Sequence, residues 1–325
     1  MGKDIIGDAL KSIFTFWNSP KLEEFIEKTK SFKDLSMIRI GKCNNIDLFL
    51  INGDIVKVKL FDDFVEGGND AVYGKKSGQV ANFMPENQVW VDANIDINSI
   101  PYICFHEILE RYLMDSHKSD YNDAHTIVNN IEVKLRKLKI FENRRKILQF
   151  PRIKQPDGST CGHTSIAMIL QYYGVNKNIE KIKDLAPTEE NKNGLSPETI
   201  LKIVSKLKLN AKIENKLSFD SIKEYINNDT PVIIELQSLE ENKKQSNEKW
   251  EKEWTQGHYV VAIGYTLEYI IFADPQCFYK SYLKYDDMLP RWHDEDYGKN
   301  NKKLSIIIEK PNEKSFENEK IVPLP

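Results

Sequence analysis

Apolar residues recur along the chain in short bursts whose spacing switches between a helical and an alternating period. In Lys21 to Lys30, Leu22, Phe25 and Ile26 share one face, which predicts an amphipathic helix. Two apolar runs, Ile46 to Ile51 and Ile55 to Leu60, flank Asn52-Gly53-Asp54. Asn-Gly between such runs predicts a β-hairpin. Asp62 to Phe83 is Gly-rich and reads as loop, and Gln88 to Val91 reads as a strand. After Pro101 the pattern turns helical, first to about Met114 and then from about Asp123 to Leu138. No internal repeat is visible, which excludes a solenoid.

The basic segment Lys134 to Lys146 reads as the solvated end of a helix, and the change of pattern before Phe150-Pro151 marks a boundary. Residues 1–147 then form an N-terminal α+β domain and residues 148–325 a second one. The second opens with a loop and a helix from about Cys161 to Tyr173, stopped by Gly174. Ser196-Pro197 combines an N-cap with Pro at the first helical position and starts a helix through Lys206. Another helix covers Phe219 to Ile226. Four strands follow, Val232 to Leu236, His258 to Tyr265, Tyr269 to Asp274 and Leu304 to Ile308. Helices first and sheet later is an α+β order. The charge-rich insertion Leu239 to Glu253 reads as a surface loop. The segment Pro311 to Pro325, with little to bury, reads as a mobile tail.

A length of 325 residues suits two domains of roughly 150 each. Hydrophobic residues at 40% exclude wholesale disorder. Lys plus Arg total 46 against 49 Asp plus Glu, a net charge of −3, so no global field favours nucleic acid or an anionic membrane. The longest apolar stretches, such as Tyr259 to Tyr265, are strand-sized, far below the ~20 residues of a membrane helix. Met1 to Trp17 carries Asp4 and Asp8 and lacks the features of a secretory signal. The four cysteines, Cys43, Cys104, Cys161 and Cys277, show no paired spacing and read as reduced thiols of a cytoplasmic protein. Nothing in the pattern sets an oligomeric state.

Chemistry concentrates around Cys161. At a helix start, the dipole and free N–H groups favour a thiolate, and Gly162 leaves the approach unobstructed. Gln155, in Gln155-Pro156-Asp157-Gly158-Ser159-Thr160-Cys161, can donate to an oxyanion alongside the Cys161 backbone N–H. His258 heads a strand, and the next strand ends in Phe272-Ala273-Asp274-Pro275. A carboxylate on a neighbouring strand can fix the imidazole tautomer and stabilise its charged form. A nucleophile on a helix with base and orienter on a sheet is a cysteine-hydrolase layout. His163 lies two residues past Cys161, off its helical face, and reads as packing. His293 reads as structural or rim-lining. Trp250 and Trp254 either flank the cleft or pack as ordinary aromatics.

These residues resemble the papain-like cysteine peptidases of the bacteriocin-processing, double-glycine type, and more closely their stand-alone soluble relatives. The likeness runs through Gln155 to Val175 (QPDGSTCGHTSIAMILQYYGV), Leu195 to Ile203, Thr230 to Leu236, Gly257 to Tyr265, Phe272 to Gln276 and Arg291-Trp292-His293-Asp294. It implies a papain-like fold, a nucleophile-bearing helix on an antiparallel sheet. It also implies Cys161 as nucleophile, His258 as general base and acid, Asp274 as orienter, Gln155 as oxyanion donor, and a peptide or protein as substrate. Transporter-fused members often carry an acidic residue where this chain has Thr160, and Ala is common where it has His163. No cofactor is required for such thiol chemistry.

The N-terminal half resembles a small uncharacterised prokaryotic domain from Phe64-Val65-Glu66-Gly67-Gly68 through Val89-Trp90-Val91-Asp92 to the helix pair. In His106-Glu107-Ile108-Leu109-Glu110, His106 and Glu110 are four apart and share a face, as in the zinc-peptidase motif HExxH with Glu for its second His. His125, Asn129 and Glu132 form a second stripe. Two such stripes, facing, would supply His106, Glu110, His125 and Glu132 to Zn, Mn or Fe, with Glu107 as a candidate base. The plainer alternative pairs Glu110 with a basic side chain and packs His125 between helices. Besides a cysteine peptidase or amidohydrolase, two other functions fit: a metal-dependent hydrolase centred on His106 and His125, and a non-catalytic papain-like binding protein using Leu239 to Glu253 for recognition.

Overall fold

The computed structural model describes residues 5–74, 82–141, 144–175, 177–238 and 246–311. The chain divides into two compact units, Met1–Arg145 and Lys146–Pro325. The first opens with α1 (Ile5–Trp17) and α2 (Leu22–Lys30), then a hairpin of β1 (Met37–Cys43) and β2 (Ile46–Ile51). Asn44 takes the left-handed turn of that hairpin at φ 53°.

Asn52-Gly53 does not close a second hairpin. The Asn52 side chain accepts from Asp54 N at 3.2 Å and caps α3 (Gly53–Lys59), while Gly53 N donates to Asp92 Oδ1 at 2.9 Å. Asn serves a helix cap as well as a turn, and both edges of β2 are already taken, by β1 and by β4. The Gly-rich stretch expected as loop holds β3 (Gly67–Asn69) and the single-turn α4 (Asp70–Tyr73), and its residues 75–81 lie outside the described ones. With β4 (Gln88–Asp92) the sheet runs β1-β2-β4-β3, parallel only between β2 and β4.

The helix α5 (Ile100–Ser116) packs on β3, β4, α1 and α6 (Tyr121–Lys137). It is buried at every position from Ile100 to Arg111. Four of those residues, His106, Glu107, Glu110 and Arg111, are acidic or basic and must find partners inside the unit. Arg111 pairs with Asp70 and donates to Asn87 Oδ1 at 2.9 Å. The others converge on the cluster described below.

In the second unit, β5 (Lys146–Ile147) precedes α7 (Cys161–Tyr172), α8 (Ile179–Lys183), α9 (Thr188–Asn193) and α10 (Pro197–Lys206). Next come β6 (Ala211–Glu214), α11 (Phe219–Asn227), β7 (Val232–Gln237), α12 (Asn247–Trp250), β8 (Gly257–Tyr265), β9 (Tyr269–Ala273) and β10 (Lys280–Lys284). After α13 (Tyr285–Met288), a hairpin of β11 (His293–Asp296) and β12 (Lys299–Lys302) leads to β13 (Ser305–Ile308). Every pairing is antiparallel, in the order β10-β9-β8-β7-β13-β6, with β5 beside β8.

Ser196 accepts from Thr199 N at 3.2 Å as the N-cap of α10, and Gly174 follows α7 at φ 76°. β7 is buried at all its positions, so both faces of the sheet centre are covered, with α7 and α11 packed on it. A helix bearing Cys161 against an antiparallel sheet is the arrangement the family resemblance implies. Of the charge-rich insertion, residues 239–245 lie outside the described ones; its far end forms α12, where Trp250 is buried beneath the Arg291 guanidinium, 4.0 Å from the ring centroid. Residues 312–325, most of the expected tail, also lie outside the described residues.

Candidate active site

Cys161 is the first residue of α7, and the loop ahead of it leaves the helix end free. Thr160 does not cap the helix: its hydroxyl donates instead to Asp157 O at 3.1 Å. Asp157 accepts from Ser159 N at 3.1 Å, an Asx turn that fixes the approach to the helix. Cys161 is buried, and burial pushes its thiol up. The His258 ring with its charge, and the backbone N–H groups of Tyr259 and Gly162, outweigh burial and hold the thiol below its ordinary value.

His258 stands near the start of β8. Pairing of Val261 with Ala273 brings the residue after β9, Asp274, alongside it. His258 Nε2 lies 2.8 Å from Asp274 Oδ1, which leaves Nδ1 as the ring nitrogen for the thiol. Burial would push the imidazolium down, but Asp274 and Cys161 raise it to about 9. Burial likewise raises the Asp274 carboxyl, yet His258 and Gln276 N, 2.9 Å away, bring it below the usual range. A lowered thiol beside a raised imidazole is the signature of a thiolate–imidazolium pair.

Gln155 is tied to this region by its backbone N, which donates to Pro275 O at 2.7 Å. Its side-chain Nε2 donates one proton to Asp157 O at 2.8 Å. An amide nitrogen carries two, so one donor is left over.

A cleft of about 310 Å³ opens at Cys161, walled by Leu195, Trp254, Gly257 and Tyr259 and rimmed by Asp294, Glu295 and Asp296. Gly162 is small for a packing reason: a Cβ there would come within 3.3 Å of Leu195 and Tyr259. Gly257 is more restricted, because the Asp294 carboxylate occupies the place of its Cβ. His163 is buried, with Nε2 2.8 Å from Asn191 Oδ1, and His293 Nε2 lies 2.6 Å from Glu253 O. Both rings pack the fold. Of the two tryptophans, Trp254 lines the cleft and Trp250 does not.

Sequence reasoning missed the acidic wall. Asp294 accepts from Gln237 Nε2 at 2.7 Å, and burial with nearby Asp296 pushes its carboxyl up to about 6. Burial and Asp296 raise Glu235 as well. The available signal was Gly257 directly before His258, a position where only hydrogen fits.

The first unit holds the second set of predicted residues. His106 Nε2 lies 3.1 Å from His125 Nδ1, which lies 2.8 Å from Glu110 Oε1; His106 Nε2 to Glu110 Oε1 is 3.5 Å. Glu132 does not join this trio. Its Oε2 contacts the other nitrogen of His106, Nδ1, at 2.8 Å, and its Oε1 accepts from Arg136 Nε at 2.6 Å. Asn69, absent from the sequence-based set, donates to Glu107 Oε2 and Glu110 Oε2, each at 2.9 Å. Burial opposes charge on His106, but Glu110 and Glu132 raise it to about 10. Burial and the adjacent Glu110 raise Glu107 to about 8.

A thiol at a helix start, an imidazole bound to a carboxylate and an antiparallel sheet beneath them define the class as cysteine hydrolases. Residues 147–295, a little under half of the chain, match the model of the Peptidase_C39 like family. Over those residues the second unit thus matches the C39-type cysteine peptidases, as the likeness around Cys161 implied.

No curated protein matches the chain. Among solved structures it is similar to a putative C39-like peptidase from Bacillus anthracis, at 20% identity and TM-score 0.39, covering 51% of this chain and 98% of that one. It is similar also to the peptidase domain of Streptococcus ComA, a bifunctional ABC transporter involved in quorum sensing, at 19% identity, TM-score 0.36 and coverage of 48% and 95%. A third is a double glycine motif protease from an AMS/PCAT transporter in complex with the leader peptide, at 18% identity, TM-score 0.30 and coverage of 50% and 92%. Among the described residues no helix is long and apolar enough to cross a membrane.

Proposed function

We propose that the second unit hydrolyses peptide bonds of a peptide or protein substrate through Cys161, His258 and Asp274, with Gln155 completing the oxyanion site. The observation that carries this reading is the His258 ring, bonded to Asp274 at 2.8 Å and raised to about 9 beside a thiol that is lowered. The Cys161 thiolate attacks the carbonyl carbon, and the carbonyl oxygen becomes an oxyanion held by the Cys161 backbone N–H and the free Gln155 amide proton. His258 gives its Nδ1 proton to the leaving amine as the tetrahedral species collapses to the acyl-enzyme. The neutral ring then takes a proton from water, whose hydroxide attacks the thioester and frees Cys161.

Three carboxylates rim the cleft, and no basic side chain lines it among the described residues. Neutral or cationic peptides are therefore favoured over acidic ones. Cys43, Cys104 and Cys161, none of them in a disulfide, suit a reducing compartment such as the cytoplasm.

The test incubates the full chain with a mixed synthetic peptide library and reads products by mass spectrometry. Cleavage that vanishes in Cys161→Ala and His258→Ala, with a trappable thioester on Cys161, is expected. Cleavage that survives Cys161→Ala would overturn the assignment.

A further inference from the structure

The first unit contains a polar constellation that thiol chemistry does not use. We propose that His106, Glu110 and His125 bind a divalent transition metal of the zinc class, with a further coordination position open to the adjoining cavity.

The three donor atoms form a triangle with edges of 3.1, 2.8 and 3.5 Å. Zinc bonds to imidazole nitrogen and carboxylate oxygen are about 2.0–2.2 Å long, so two ligands at a tetrahedral angle stand roughly 3.3–3.5 Å apart. To close around an ion the 2.8 Å edge must open by about 0.5–0.7 Å and the 3.1 Å edge by less, while the 3.5 Å edge already fits. Two imidazoles and a carboxylate suit zinc, iron or manganese better than calcium or magnesium.

The sequence builds this triangle with two helical stripes. His106 and Glu110 are one turn apart on α5, and His125 comes from α6, which packs alongside. Groups outside the triangle aim its members inward. Glu132, held by Arg136, takes the Nδ1 side of His106, so the proton that stays on the ring when a metal displaces the other is held there, and Nε2 is the nitrogen that turns its lone pair to the triangle. Asn69 holds Glu110 Oε2, which leaves Oε1 for the rings. Carboxylate behind imidazole and amide behind carboxylate are the supports that metal ligands carry in general.

The triangle borders a cavity of about 350 Å³, also lined by Glu107, Tyr73 and Tyr121. It gives room for a water or a substrate oxygen, which separates open, catalytic-type sites from closed structural ones.

The experiment uses the full chain carrying Cys161→Ser, so that the reactive thiol cannot hold metal and the outcome is independent of the peptidase reading. After chelator treatment the protein is titrated with Zn²⁺ against a chromophoric competitor. One equivalent is expected. His125→Ala should abolish it, and the isosteric Glu132→Gln should weaken it about tenfold to a hundredfold. With Co²⁺ the visible bands should appear without thiolate charge transfer. Absence of a bound equivalent, its survival in a folded His125→Ala, unchanged affinity in Glu132→Gln, or a thiolate band would each overturn the site.

Discussion

Replacing Asp274 by Asn isolates what holds the Cys161 thiolate. His258 is raised to about 9 against its own burial, and Asp274 is the first group that offsets that burial. A hydrogen bond to a charged group contributes about 1.5–3 kcal/mol. At about 1.36 kcal/mol per pH unit, that is roughly one to two units. Asparagine keeps the shape and an acceptor oxygen but removes the charge, so the ring should fall from about 9 to roughly 7–8. The thiolate–imidazolium pair exists above the lowered value of Cys161 and below the raised value of His258. A weaker imidazolium lowers the upper edge of that window, and above it Cys161 loses the ring charge on which it depends.

The assay is the rate of iodoacetamide labelling at Cys161 as a function of pH, read by mass spectrometry of its peptide. In the parent protein, labelling should persist well below the range of a free thiol, which titrates near about 8.5. At about pH 8, where the parent ring is still charged and the variant ring is largely neutral, Asp274→Asn should label up to roughly tenfold more slowly. Cys43 and Cys104 do not compete, since burial raises both thiols. A parent profile with a single limb near about 8.5, or an unchanged profile in Asp274→Asn, would refute the ion-pair reasoning.

Gln155→Ala should lower peptide turnover about 10²–10³-fold while leaving Cys161 labelling at neutral pH unchanged; equal losses in both would make Gln155 a support of the loop instead. Asp294 is a carboxylate raised from 3.8 to about 6, so its contribution to stability is present at low pH and lost as pH rises through about 6, by roughly 3 kcal/mol. Asp294→Asn, which keeps an acceptor for Gln237, should raise the urea midpoint at about pH 7.5 and converge with the parent at about pH 4. Gly264→Ala should cost about 1–3 kcal/mol in urea, because its Cβ would stand 2.8 Å from Lys146 O and 3.1 Å from the Ile147 Cα. Gly158→Ala, with nothing within 4 Å of the added carbon, should be neutral by the same measurement.

Elements that bury a repeating apolar face were legible in the sequence. Helices α5, α6, α7, α10 and α11 and strands β4, β7, β8, β9 and β13 fall where hydrophobic spacing predicted them. Three of the strands that escaped are of another kind. β10 reads Lys280-Ser281-Tyr282-Leu283-Lys284 and lies at the sheet edge, while β11 and β12 are almost wholly polar. Such strands are held by backbone pairing with a neighbour, which leaves no mark on side-chain hydropathy. The Asn52-Gly53 misreading has a related cause. Cap and hairpin share the same local chemistry, and what decides between them is β4, forty residues further on, lying parallel on the edge a hairpin would need.

Residues at element ends were legible as a candidate site because chemistry and position coincide there: Cys161 opens a helix, His258 stands near the head of a strand and Asp274 follows one. The carboxylates of Glu235 and Asp294 were not. An acidic residue in a strand ordinarily faces water, and only the packing of β11 on β7 and β8 buries these two. Glu132 shows a finer limit. Helical periodicity put it on the correct stripe, but periodicity carries no information about which nitrogen of a neighbouring ring a carboxylate will meet.

That choice of nitrogen distinguishes the two histidine sites. Each ring gives one nitrogen to a carboxylate at 2.8 Å, Nε2 of His258 to Asp274 and Nδ1 of His106 to Glu132. What differs is the group facing the second nitrogen. For His258 it is a sulfur, whose ionisation is favoured when the ring is charged, so the carboxylate acts by retaining a proton. For His106 it is a second imidazole and a carboxylate oxygen, and a ligand nitrogen must be free of a proton, so the carboxylate acts by directing the proton to the far side. Neutralising either carboxylate removes the same kind of hydrogen bond with separable results: Asp274→Asn should leave zinc affinity intact while slowing thiol labelling, and Glu132→Gln should do the reverse. Parallel losses in both assays from either variant would mean that the substitutions act through general destabilisation, and the two roles would fail together.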